Sequence, residues 1–180
     1  MDRLSKEQWL DHGLMQLAQS GFTVLKADKL SKSLGVSRGS FYWHFKDIAD
    51  FHAAVLERWR EVAVNAIIID IEQQDLSAEA KLRLLISIAV GSPGTLEQAI
   101  RAWAFSDAVV RETVATIDTQ RLAYIQTLLQ VIGLSETMAT ARSHVIYCSY
   151  LGRMLLGSPL LEEQQTALIE ELMDLALSGL

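Results

Sequence analysis

Gly35-Val36-Ser37-Arg38-Gly39-Ser40-Phe41-Tyr42-Trp43-His44-Phe45-Lys46 is the stretch from which most of this chain can be read. Ser37 stands where a side-chain oxygen can cap a helix, and the residues after it predict a short helix over 38–45. Phe41 and Phe45 are four apart, so they share one face and are expected to bury. Arg38, Ser40, Tyr42, Trp43 and His44 are left on the other faces. A buried helix would not carry so many polar and amphipathic groups. A plain solvated helix would not carry adjacent Tyr and Trp.

The preceding residues complete a motif. A short helix is predicted over 26–34, with Ala27, Leu30 and Leu34 facing inward. Gly35 follows as the residue able to take a left-handed backbone in a tight turn. Val36 is the expected apolar plug between the two helices. Helix, glycine-containing turn and second short helix are the parts of a helix-turn-helix. Upstream, a helix over 5–20 supplies the scaffold, capped by Ser5 and closed by Gly21. Its stripe of Trp9, Leu10, Leu14, Leu17 and Ala18 faces the core.

Composition fits an all-α chain. There are 180 residues, half of them hydrophobic, and only two prolines, Pro93 and Pro159. A long helix is predicted from about Asp47 to Gln74, with Phe51, Val55, Leu56, Trp59, Val62, Ala63, Ala66, Ile67 and Ile71 on its apolar face. The cluster Ile67–Ile69 reads as buried helix. Further helices are expected near 77–91, 95–105, 107–132, 136–157 and 161–178, broken at Asp75–Ser77, Gly91–Gly94, Gly133 and Gly157-Ser158-Pro159. The expected organisation is a three-helix head at 1–50 and a helical bundle at 51–180.

Charge is uneven along the chain. Residues 1–46 hold seven Lys/Arg against four Asp/Glu, and the rest hold nine against eighteen, within a net charge of −6. A basic head on an acidic body suits a protein that offers one end to a polyanion. The single cysteine, Cys148, forbids an intrachain disulfide. Met1-Asp2-Arg3 opens an N-terminus without the apolar run of a signal peptide, and no segment approaches the length of a membrane span, so the expected compartment is the cytoplasm.

Each outward group of the 38–46 segment suits a duplex. Arg38 can donate two hydrogen bonds to a guanine edge. Gly39 admits the DNA close to the backbone, and Ser37 and Ser40 offer hydroxyls. Tyr42 and Trp43 present a phenol and apolar rings to phosphate, sugar or a thymine methyl. His44, Lys46 and, from the preceding helix, Lys26 fall where the sugar-phosphate backbone is expected to pass.

These residues carry a family resemblance. Gly21-Phe22, the pair Leu30-Ser31, and Gly35 through Phe45 resemble the N-terminal domain of TetR-family regulators over roughly residues 5–55. The resemblance implies a homodimeric regulator of the repressor type, bound to double-stranded operator DNA and released by a small molecule. Two positions depart from the family pattern. Leu25 and Lys26 stand where helix 2 commonly begins with Thr or Ser. Ile48 stands where helix 4 commonly begins with Lys or Arg, and Lys46 is the candidate to replace that phosphate contact.

The body is read from its apolar faces. Leu168, Leu172, Leu175 and Ala176 belong to a terminal helix apolar around most of its circumference, which needs cover on two sides. Ala141, Val145, Ser149 and Gly152 make a face of mostly small residues on the preceding helix. Both are expected in a twofold homodimer interface. An effector pocket is expected among helices 95–105, 107–132 and 136–157. Trp103, Phe105, Tyr124, Tyr147 and Met154 would line it, and Arg101, Arg121 or His144 would anchor a polar group.

Other chemistries find little purchase. His144 and Cys148 are four apart, but zinc takes three or four protein ligands, so they read as a packed histidine and a buried thiol and no metal is expected. No phosphate-binding glycine loop or nucleophile elbow occurs, and no cofactor or enzymatic activity is expected. The competing reading is a helical protein-interaction module that retains a degenerate helix-turn-helix, motivated by Ile48 and the acidic body.

Overall fold

The computed structural model describes residues 4–157 and 159–179; Met1-Asp2-Arg3, Ser158 and Leu180 lie outside it, as does the side chain of Val64. Every regular element among the described residues is helical. Helix α1 (Lys6–Ser20) opens on a capping box. The Ser5 hydroxyl accepts the Gln8 N–H, and the Gln8 side chain accepts the Ser5 N–H. A 3-10 turn (Phe22–Val24) leads to α2 (Ala27–Ser33) and α3 (Arg38–Tyr42). Then follow α4 (Ile48–Arg60), a π turn (Glu61–Asn65) and α5 (Ala66–Glu72). Helices α6 (Ala78–Gly91), α7 (Thr95–Ala104), α8 (Ala108–Ile132), α9 (Glu136–Leu156) and α10 (Glu162–Leu177) complete the chain. The expected helices 77–91 to 161–178 are all present, each within a residue or so of its expected ends.

The chain forms two compact units: Met1–Ala63 with Thr95–Ala115, and Val64–Gly94 with Thr116–Leu180. The boundary at residue 50 falls inside α4, within the first unit. That unit also includes α7, which packs on α1 and on the 3-10 turn. Trp103 of α7 is buried, with its ring stacked on Phe22 at 4.4 Å and edge-on to His52 at 5.3 Å. His52 Nε2 lies 2.9 Å from the Leu25 carbonyl, so it must be the donor. Helices α1 and α4 approach closely at Gly13, where a Cβ would sit 2.8 Å from Phe51 Cζ.

The long helix after Asp47 differs from expectation at its middle. The π turn inserts an extra residue per turn, which shifts the apolar stripe by about 100°. Phe51, Val55, Leu56 and Trp59 are buried before it and Ile71 after it, but Val62 and Ala66 are exposed. The Ile67–Ile69 cluster is only partly covered, and Ile69 is exposed.

The second unit has its own core. Leu82, Ile86 and Val90 of α6 meet Ile125, Leu128 and Leu129 of α8, Ala139, Ile146 and Tyr147 of α9, and Leu172, Met173 and Ala176 of α10. Arginines tie helix ends that would otherwise leave carbonyls unpaired. Arg142 donates to the Ala176 carbonyl at 2.8 Å and the Ser178 carbonyl at 2.6 Å. Arg153 does the same for Ala89 at 2.9 Å and Ser92 at 2.8 Å.

Candidate nucleic-acid interface

The segment 35–46 is built as an inward anchor and an outward face. Gly35 takes φ 68°, the left-handed backbone the turn needs. The Val36 N–H reaches back to the Ser31 carbonyl at 3.0 Å, closing the turn. Phe41 and Phe45 are completely buried, Phe41 edge-on to Trp9 at 5.4 Å and Phe45 edge-on to Phe51 at 4.9 Å. Tyr42 and Trp43, between them, are 51% and 71% exposed. Arg38 and Gly39 are also exposed, and Ser40 is half-buried.

Three details differ from the sequence expectation. Helix α3 ends at Tyr42 rather than at 45, although Trp43 keeps a helical backbone and the Phe45 N–H still bonds the Phe41 carbonyl at 3.1 Å. Ser37 occupies the N-cap, but its hydroxyl makes no capping bond; its carbonyl accepts the Ser40 N–H at 3.0 Å instead. His44 is half-buried and donates from Nε2 to the Leu4 carbonyl at 2.8 Å, so it braces the start of α1. Lys6 adds to that brace over the Phe45 ring, 5.6 Å from its centroid.

Two outward residues touch each other. Arg38 Nη2 donates to the Tyr42 hydroxyl at 3.2 Å, and its guanidinium carbon lies 5.9 Å from the Tyr42 ring centroid. Asp28, on α2, lies close enough to favour the Arg38 charge. Asp28 gave no signal in the sequence, because only the packing of α2 on α3 brings it near. At Gly39, a Cβ would meet only Ser37 Oγ at 3.6 Å, an ordinary contact, so nothing inside the protein demands glycine there.

Lysines flank this face unevenly. Lys26 is exposed at the N-cap of α2, which has no side-chain cap. Lys46 is exposed, but its N–H donates to Asp50 Oδ2 at 2.9 Å, and Asp47 caps α4 through the Asp50 N–H at 2.9 Å. Ile48, the first residue of α4, is exposed.

The residues expected in an effector pocket divide between the two units. Arg101, Trp103 and Phe105 lie in the first and the other five in the second. Arg101 pairs with the buried Glu97 at 2.9 Å. Phe105 is 89% exposed at the end of α7, so it lines nothing there. In the second unit, the buried Tyr147 donates to Asp118 Oδ1 at 2.6 Å and accepts from Arg121 Nη1 at 3.2 Å. Burial pushes the Tyr147 phenol above its ordinary pKa, which keeps it neutral. Tyr124 donates to Glu72 Oε1 at 2.5 Å, and Met154 is buried against Gly94. His144 and Cys148 are both exposed rather than packed, His144 donating from Nδ1 to the Thr140 carbonyl. Among the described residues no group of three metal-ligating side chains occurs.

The residues expected in a homodimer face also divide. Ala141, Val145 and Leu175 are exposed, and Ser149, Gly152 and Leu168 are half-buried. Leu172 and Ala176 are core instead, because α6 and α9 cover the inner side of α10. Beside the exposed residues, Ser149, Gly152, Arg153, Leu156, Leu160, Gln164 and Leu168 line a groove of about 490 Å³. Leu156 in its lining is 81% exposed, and the adjacent Leu155 is 75% exposed.

A helix-turn-helix on an all-helical body is the architecture these observations define. Residues 10–55 match the family described as bacterial regulatory proteins, tetR family. The HTH-type transcriptional regulator AcrR of Shigella flexneri is 34% identical over 53 residues, 29% of this chain and 25% of that protein. The transcriptional regulator AcuR of Cereibacter sphaeroides is 28% identical over 86 residues, 48% of this chain and 39% of that protein. These matches thus span well under half of the curated relatives' own length. The crystal structure of the regulator FadR from Bacillus subtilis in complex with stearoyl-CoA superimposes with a TM-score of 0.70 at 18% identity, covering 98% of this chain and 100% of that one. The N-terminal segment is thus similar to the tetR family over residues 10–55, and the whole chain shares the fold of the solved structure. No helix among the described residues is long and apolar enough to cross a membrane.

Proposed function

We propose that this protein is a transcription regulator that binds double-stranded operator DNA as a homodimer through a head at 1–50, and that a small molecule bound in the 51–180 body releases it. One observation carries the reading: Phe41 and Phe45 are sealed inside while the adjacent Tyr42 and Trp43, with Arg38, face solvent on a short helix. A helix anchored from behind and wet in front can enter a major groove without unfolding. Arg38 is the base reader, with Ser40, Tyr42 and Trp43 beside it. Lys26, Ser37 and Lys46 are the phosphate contacts, Gly39 the point of closest approach, and His44 the brace behind them.

The homodimer face is assigned to Ala141, Val145, Ser149 and Gly152 of α9 with Leu168 and Leu175 of α10. The effector is assigned near Arg121 and Tyr147, where a cation, a phenol and the Asp118 carboxylate meet in apolar surroundings. Stearoyl-CoA, the ligand of the B. subtilis FadR complex, is the first probe to try.

A salt titration of duplex binding is the decisive test. Each phosphate neutralised steepens the fall of log affinity against log salt by about 0.9. The regulator reading expects a steep slope, made shallower by about one unit in Lys46→Gln. No binding to duplex at low salt would instead favour a protein-interaction module, a reading to which Asp47 and Asp50 beside Ile48 lend their charge.

A further inference from the structure

The Arg38–Tyr42 pair has a geometry that a phosphate-contacting tyrosine alone does not need. The two residues are one helical turn apart on α3, and both are exposed. A free arginine on such a surface samples many rotamers, and fixing them at the moment of binding costs affinity and blurs direction. Here the hydroxyl accepts from Nη2 at 3.2 Å, and the ring lies beneath the guanidinium edge. The hydroxyl oxygen is then used as an acceptor, while its own proton remains to be donated. A hydroxyl that accepts from a cation is polarised into a stronger donor.

We propose that Tyr42 is a positioning residue for Arg38 that determines base specificity: its hydroxyl holds the guanidinium toward one base edge while donating its proton to a neighbouring DNA phosphate. The phosphate contact thereby sets the register of the base contact. Arg38 keeps at least three further N–H donors for a guanine edge, which needs two. Asp28 favours the same charge electrostatically from α2. The proposal rests on the regulator reading and deepens it, by assigning specificity to a pair rather than to Arg38 alone.

The test is selection from a random-sequence duplex library by the full-length protein, followed by affinity measurements on the enriched duplex and its single-base variants. Wild type is expected to enrich a motif with a guanine preference at one position per half-site. Tyr42→Phe keeps the ring and loses the hydroxyl; it is expected to lower that preference by about three- to tenfold, leaving other positions unchanged. Arg38→Ala abolishes the preference, and adding Tyr42→Phe to it changes no base preference further. Lys46→Gln lowers affinity for all duplexes alike and keeps the profile. Circular dichroism confirms that the exposed Tyr42→Phe change leaves the fold intact. A Tyr42→Phe profile that superimposes on wild type, or a uniform loss across all bases, overturns the proposal while leaving the regulator reading standing. A wild type that enriches no motif overturns both.

Discussion

At the scale of single residues, the outward face of the recognition segment owes little to packing, so its substitutions separate binding from stability. Gly39 is the sharpest case. Its backbone is not left-handed and a Cβ has room, so Gly39→Ala is expected to fold with stability unchanged or raised by about 0.5–1 kcal/mol, since alanine favours helix. The added methyl projects where DNA would approach, so duplex affinity is expected to fall at least tenfold; thermal melting and fluorescence anisotropy measure the two sides. Phe41→Ala is the converse and is expected to cost about 3–5 kcal/mol, because it empties a site ringed by Trp9, Phe45 and Phe51. His12 gives the pH dependence. The Ser33 hydroxyl donates to the Leu30 carbonyl at 3.0 Å, so it must accept from His12 Nε2–H at 2.7 Å. Burial lowers the His12 pKa below its ordinary 6.5, so the unfolded chain binds the proton more readily. Stability is therefore expected to fall as pH drops through 6.5 and to level off below the folded pKa. His12→Gln is expected to flatten that limb of a denaturation series between pH 7 and 5.

At the scale of elements, caps and periodicity made most helices legible, and long-range packing hid the rest. Ser5 with Gln8, Asp47 and Ser77 each cap the helix that the sequence places after them. The four-residue spacing of Phe41 and Phe45 showed which face of α3 turns inward. The sequence did not reveal that α3 stops at Tyr42, since a fixed period cannot foresee where chain reversal into α4 begins. Nor did it reveal the π turn, or that Trp103, far along the chain from the head, stacks on Phe22. Those contacts depend on which helices meet. One local departure was legible and testable: Lys26 stands at the N-cap of α2 and provides no side-chain cap. Lys26→Ser is expected to restore a cap and stabilise by about 1 kcal/mol, while weakening binding to specific and random duplex alike. Equal affinity in the variant would remove Lys26 from the interface. Ser5→Ala is expected to destabilise by about 1 kcal/mol without that loss of binding.

At the scale of the whole molecule, the acidic body raises the question of why so much leucine faces water. Val145, Leu155, Leu156, Leu161 and Leu175 are exposed in the second unit, and Leu156 lines a groove together with Leu160 and Leu168. The sequence had shown that α10 was too apolar to be solvated, but not which residues served the core, because an all-round apolar helix carries no phase. Packing resolves it: Leu172 and Ala176 turn toward α6, α8 and α9, whereas Val145 and Leu175 turn out. Two substitutions of similar severity should therefore act on different equilibria. Val145→Glu puts a charge on the outward face and is expected to leave monomer folding within about 0.5 kcal/mol of wild type. If that face joins two copies, the buried charges oppose association, and sedimentation should show the dimer giving way to monomer. Operator affinity should fall with it, since two linked heads bind far more tightly than one. Leu172→Ala removes core volume and is expected to cost about 2–5 kcal/mol of stability without first changing the sedimentation of the folded fraction. A Val145→Glu protein that sediments as wild type does would move the interface off α9, and the exposed leucines would then require a different partner.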